Sequence, residues 1–235
     1  DRLHEFERLN RRLPLVRLET SYAGQGHPVP GGFGQAIPGM LTQFMVMIVL
    51  IAGTVYLTTE KTTGVLKRLA VAPFTPRTLI AGKLVGLIFL ALVQAGLLVG
   101  AGTLIGKLHI LGAEFYWGSS PGGLLLVILS AAVATAGVTL FLGALLSTPA
   151  QASAVGWLAG MAMSGLGGCW WPMEIVPGWL QTVGHVFPTA WTMDALHDLV
   201  SFGKGVEAVI PECLFLLAYG LAFSLLGARF LKVEA

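Results

Sequence analysis

LVGLIFLALVQAGLLVGAGTLIG, residues 84–106, decides what kind of protein this is. The stretch runs for 23 residues without one Asp, Glu, Lys or Arg. Coiled at about 1.5 Å per residue, it is long enough to cross a hydrocarbon core about 30 Å thick. The absence of charge is meaningful, because one charged side chain at the centre of a membrane helix costs about 2.5–3.5 kcal/mol on insertion scales. Four more apolar runs lie around it, at 38–58, 122–146, 152–170 and 208–228. The last holds a single charge, Glu212, close enough to one end to reach the interface. Each run is expected to be one transmembrane helix, which gives an all-α polytopic bundle with five spans.

The composition supports this class. Hydrophobic residues make up 55% of the 235 and charged residues 11%, with a mean hydropathy of +0.78. A soluble domain is about one quarter charged. The net charge of +2 points to neither nucleic acid nor an acidic ligand. The six Trp and 31 Gly suit a membrane bundle, where Trp sits at interfaces and Gly permits close helix approach. Cys169 and Cys213 form no zinc or haem spacing and no disulfide framework.

Residues 1–37 read as the end of an external segment and a loop into the bilayer. Asp1 to Glu19 is charged and amphipathic, and Gly24 to Gly34 is rich in Gly and Pro. The remainder, 38–235, reads as the membrane domain, with a basic loop at 59–83 and a long loop at 171–207.

Orientation follows from the Lys and Arg near the helix ends. The loop 59–83 carries Lys61, Lys67, Arg68, Arg77 and Lys83 against one acid, Glu60, and the tail carries Arg229 and Lys232. The loops on the other side hold Lys107 and Lys204. The arginines of the first segment lie far from the first span, where the rule weakens. This places 59–83, 147–151 and the C-terminus in the cytoplasm, and residue 1 outside. An external start without a signal peptide leads us to expect a preceding helix, hence six spans in the intact protein. Cys169 and Cys213 then both fall toward the outer side, where pairing is geometrically open but unsupported.

Within 59–83, Thr62 or Thr63 can cap a short helix whose Val65, Leu66 and Leu69 form an apolar stripe beside Lys67 and Arg68. Pro73 and Pro76 break the chain before the next span. Such a helix can lie on the membrane surface, or fit a groove on a soluble partner and transmit its motion.

The pattern Glu60-x-x-x-Gly64-x-Leu66-x-Arg68-Leu69, then Pro73, then Gly82-Lys83, resembles the coupling loop of ABC-2 type permeases. Pro177-x-Trp179, Phe187-Pro188 and Asp194-Ala195-Leu196 resemble the loop before the last helix in the same family. The resemblance implies a permease subunit that pairs with a second copy or homologue and with two ATP-binding subunits. ATP and Mg would sit on those partners, and this chain would need no cofactor of its own. It implies that Glu60 and Arg68 make polar contacts to the ATPase, that Leu66 and Leu69 fill its groove, and that Gly64 allows close approach. It also implies that the loop 171–207 folds into short helices that dip back over the exit path. His197 departs from the pattern, since relatives often carry a basic residue there.

No nucleotide-binding loop is present, because Gly82-Lys83 and Gly203-Lys204 lack the upstream Gly and the following Ser or Thr. Asp194, His197 and Asp198 share one helical face, with local pairing weighed against metal or proton chemistry. Gln43 and Gln94 are the notable polar residues inside spans, read either as interhelical hydrogen-bonding groups or as part of a substrate path. Phe44, Met45, Met47, Met161 and Met163 would suit a hydrophobic or amphipathic substrate, or could face lipid. The spacings Gly96 to Gly100, Gly102 to Gly106 and Gly156 to Gly160 read as packing devices. The expected function is the membrane subunit of an ATP-driven exporter in the cell membrane. The competing readings are an ion-driven secondary transporter, which should show repeats and buried titratable pairs, and a membrane anchor or assembly protein.

Overall fold

The computed structural model describes residues 29–65, 75–108 and 115–231. Among these the chain is helical, with no strand. The helices are α1 (Phe33–Thr62), α2 (Pro76–Lys107), α3 (Pro121–Leu145), α4 (Pro149–Leu166), α5 (Gly178–Gly184), α6 (Pro188–Val200) and α7 (Ile210–Phe230). Short 3-10 turns at Met173–Ile175 and Val206–Val209 precede α5 and α7.

Three helices begin with one device, a hydroxyl residue followed by Pro. The Thr75 side chain accepts from the Thr78 amide, Ser120 from Gly123 and Thr148 from Gln151, with Pro76, Pro121 and Pro149 at the first helical position. The hydroxyl satisfies a free amide of the first turn, and Pro supplies a fixed φ where no amide is needed.

Among the described residues four segments are long and apolar enough to cross a membrane: Phe33–Thr62, Arg77–Lys107, Pro121–Leu145 and Val206–Phe230. The fifth expected run appears as α4, 18 residues rich in Ala, Gly and Ser, which falls short on composition. At about 1.5 Å per residue it also reaches slightly less than a 30 Å core. Length and composition therefore support four of the five expected spans among the described residues. Helix ends also differ from the apolar runs. α1 starts at Phe33 and passes through Pro38, and it continues through Glu60 and Lys61 to Thr62.

α3 is the central post. Of its most apolar window 67% is buried, against 17% for that of α2. α7 packs along α3 in the same direction, with Gly220 against the Val133 carbonyl and Gly227 against the backbone of Leu140 and Phe141. Gly137 faces the Gly220 backbone from the other side of this contact. α4 lies on α1 through Gly156, beside the backbone of Leu50 and Ile51, and Gly160, beside Met47. Gly102 faces Trp117 and Ile37, and Gly106 faces the Phe115 backbone. Of the three expected small-residue pairs, Gly96 and Gly100 differ: a Cβ at either would meet nothing within 4 Å.

Several buried hydroxyls of these helices donate to a carbonyl one turn back, whereas those of Thr42 and Ser164 have no partner among the described residues. Ser130 donates to Leu126 and Val127, Thr135 to Ala131 and Thr139 to Thr135 along α3. In α1, Thr54 donates to Leu50 and Thr58 to Thr54. The segment 171–207 is folded back on the bundle, and in α6 Ala190, Met193, Ala195, Leu196 and Leu199 are at most 1% exposed.

Candidate functional site

The basic segment 59–83 is rooted at the end of α1 and the start of α2. Leu66, Arg68, Leu69 and Pro73 lie outside the described residues; Glu60, Gly64, Gly82 and Lys83 lie within them. Helix resumes at Val65, and the outcome of the cap expected from Thr62 or Thr63 lies with residues 66–69, outside the described ones. The hydroxyls of Thr62 and Thr63 donate back to the Thr59 carbonyl, at 3.1 and 2.7 Å, and so close the end of α1. Gly64 follows with φ +72, the left-handed conformation that commonly terminates a helix. A Cβ there would meet nothing within 4 Å, so within this chain its need for Gly is conformational rather than steric.

Glu60 is 8% exposed, and its carboxylate forms an ion pair with the Lys83 ammonium. The Tyr56 ring lies beside the same ammonium, 5.4 Å from its centroid. The pair borders a cavity of about 720 Å³ between α1 and α2, whose other walls include Leu57, Leu79 and Leu87. A pair this well buried is costly to break, about 3–5 kcal/mol for loss of one partner, because the other charge is left desolvated. Lys61 turns to another neighbour. Its ammonium donates to the carbonyls of Gly143 and Ala144, both at 2.6 Å, and of Leu146 at 3.1 Å, where α3 ends. A cation at the negative end of a helix dipole satisfies carbonyls that the helix itself leaves free. Gly82 sits exposed on α2 with open space around its Cα.

The two glutamines expected inside spans have different surroundings. Gln43 accepts a hydrogen bond from Trp170 Nε1 at 2.8 Å. One turn apart on the same face of α1, the Gln35 amide donates to the Gly168 carbonyl at 2.8 Å and Gly39 lies against the Cys169 backbone. These three residues tie α1 to the turn after α4. Gln94 is half-buried on α2.

Asp194, His197 and Asp198 do not converge. Asp194 pairs with His185 Nε2 at 2.8 Å, and Asp198 with Lys204 at 2.8 Å. His197 is 3% exposed, and its Nε2 has no hydrogen-bond partner among the described residues. Burial lowers its pKa to about 4, against a weaker upward pull from Asp198. Burial also lowers His185, but the Gln181 carbonyl and the Asp194 carboxylate outweigh it and leave His185 above its ordinary value. Among the described residues no group of three His, Cys, Asp or Glu is placed to hold a metal ion. Cys169 and Cys213 are buried and free.

The sequence does not reveal Lys61 as a capping residue, Tyr56 beside Lys83, or His185 as the partner of Asp194. The 23-residue separation of Glu60 and Lys83 carries no periodic signal, so their meeting depends on how α1 and α2 cross.

Compared with known proteins, residues 16–229 match the ABC-2 family of transporter proteins. The chain belongs to that family. It is similar to the linearmycin resistance permease protein LnrN of Bacillus subtilis (strain 168), 24% identical over 187 residues, which is 80% of this chain and 46% of that protein. It is also similar to the inner membrane transport permease YhhJ of Escherichia coli (strain K12), 28% identical over 210 residues, or 89% of this chain and 54% of the relative. The chain spans about half the length of these curated relatives. No solved structure matches it. With four helices apolar enough to cross a bilayer, this member of the ABC-2 family is a membrane protein, and the family is one of transport subunits rather than enzymes.

Proposed function

We propose that this chain belongs to the permease subunit of an ATP-driven exporter that moves a hydrophobic or amphipathic substrate out of the cytoplasm. The observation that carries this reading is family membership across residues 16–229. The basic segment between α1 and α2 carries Glu60, Gly64, Leu66, Arg68, Leu69, Pro73, Gly82 and Lys83 in the coupling-loop order. In this reading the segment faces the cytoplasm and docks on a dimer of ATP-binding subunits, which hold ATP and Mg. A second permease, the same or homologous, completes the pathway, and α4 crosses the membrane as a fifth span. The C-terminus lies in the cytoplasm, as the excess of Lys and Arg at 59–83 and 229–232 favours. Outward transport is supported by the Bacillus subtilis relative, which is named a resistance permease. Gln43 and Gln94 stay with the proposal as candidate path residues, Gln94 with the better claim because Gln43 already bonds Trp170.

Co-purification tests the reading. The intact permease is expressed with the ATP-binding protein encoded beside it, as wild type, Leu66→Asp and Glu60→Ala. Retention of the complex by wild type and its loss in Leu66→Asp, with normal membrane insertion, is the expected result. Equal recovery of all three, or no complex with wild type, refutes docking through 60–69.

A further inference from the structure

Glu60 and Lys61 are consecutive, yet they bind different helices. Successive side chains on an α-helix point about 100° apart, so neighbours at the end of α1 can address two partners at once. Glu60 takes Lys83 on α2, and Lys61 takes the terminal carbonyls of α3 at Gly143, Ala144 and Leu146. The same end of the bundle is already close-packed. A Cβ on Gly143 would lie 2.6 Å from Leu57 Cδ1, and one on Gly53 would lie 2.5 Å from Leu87 Cδ2. We infer that Glu60 and Lys61 form a hub fusing the ends of α1, α2 and α3, so that force on the segment 66–74 moves these three helices as one body.

This inference rests on the coupling role proposed for the segment, and it changes the part played by Glu60. Its carboxylate positions the roots of the segment instead of contacting the ATPase. Both roots of the segment are joined by the Glu60–Lys83 pair, so the enclosed stretch cannot absorb a pull by spreading its ends. The Lys61 contact carries that displacement to α3, the most buried of the four apolar segments. Buried charge pairs suit this task, because a partly opened pair leaves both charges desolvated and the closed geometry is strongly favoured. Glu60 and Lys61 are therefore positioning residues.

The test measures distances in the intact permease assembled with its ATP-binding partner in lipid vesicles. Spin labels are placed at exposed Thr62 and Arg77 to span the segment roots, and in a second sample at Thr62 and exposed Ser147 to span α1 and α3. The hub predicts one narrow distance for each pair, unchanged between nucleotide-free and ATP-trapped states. Lys83→Met should broaden the first distribution and Lys61→Met the second, while the exchange Glu60→Lys/Lys83→Glu restores the first. Lys83→Arg serves as the conservative rescue if the exchange does not fold. A wild-type shift approaching one helical turn, about 5 Å, on ATP trapping would overturn the inference. So would a Lys83→Met distribution as narrow as wild type. Should no complex form, the coupling reading fails, and Lys83→Met and Lys61→Met in the permease alone still decide whether the hub exists.

Discussion

Replacing Gly220 by Ala tests the packing at the centre of the bundle. The added Cβ would lie 2.7 Å from the Val133 carbonyl oxygen, 2.8 Å from its carbon and 2.9 Å from the Ala134 nitrogen. All three atoms are backbone of α3, so no rotamer change can relieve the clash. Ordinary contact needs about 3.5 Å, so α7 must back away by somewhat under 1 Å along a face where Gly137 and Gly227 are equally tight. Overpacking of this kind costs about 1–3 kcal/mol, and the rigid neighbours place Gly220→Ala near the upper end. For a chain of this size about 2–4 °C of melting temperature is lost per kcal/mol, which gives a decrease of roughly 4–12 °C. Thermal unfolding of the detergent-purified protein reads the effect, with Gly96→Ala as control. At Gly96 a Cβ meets nothing within 4 Å, and its higher helix propensity gives no change or a slight gain. Equal melting temperatures for Gly220→Ala and wild type would refute the close α3–α7 contact.

Three further outcomes are expected. His197 titrates near 4 when folded, below its ordinary value of 6.5, so the unfolded chain binds the extra proton between those values. Stability should fall as pH drops from 6.5 toward 4, by at most about 3 kcal/mol, and His197→Phe should flatten this part of the melting-temperature profile; an unchanged slope contradicts it. Lys61→Met leaves three carbonyls at the end of α3 without their donor and should lower stability by about 1–3 kcal/mol, whereas Lys107→Met, at an exposed helix end, should have little effect in the same melt. Gln43→Leu removes the Trp170 bond, worth about 1 kcal/mol, and should shift Trp170 fluorescence without preventing insertion; an unaltered spectrum argues against the contact.

The apolar helices were legible because charge is excluded from a hydrocarbon core so strongly that its absence marks a span. Their ends were less legible for the same reason. Glu60 and Lys61 end an apolar run, but they do not end a helix, and α1 continues past them because each finds a partner. α4 does not stand out by composition, because Ala and Gly interrupt nothing in a charge-based reading yet contribute little apolar surface. The Thr-Pro and Ser-Pro pairs at 75–76, 120–121 and 148–149 were visible signals for helix starts that a hydropathy reading passes over. At the site, the residue types of the basic segment could be read in order. The direction of Glu60 could not, because one carboxylate on a helix end fits a partner protein as readily as a neighbouring lysine. The triad Asp194, His197 and Asp198 shows the limit of spacing arguments: the helical face was right in one dimension, but His185 and Lys204 come from outside that helix.

The hydroxyls of α3 bear on how the bundle is made. Chain synthesis delivers α1, α2 and α3 to the bilayer well before α7, the neighbour that covers much of α3, exists. During that interval an unsatisfied hydroxyl on α3, whether of Ser130, Thr135 or Thr139, would be costly wherever lipid reaches it. Because each donates to a carbonyl one turn back, α3 presents no open donor while it waits. Each helix can therefore enter the bilayer alone and associate later, with glycines rather than polar side chains selecting α7 as the partner of α3. A late-arriving helix recognised by shape leaves the earlier ones free of polar groups that would trap wrong pairings.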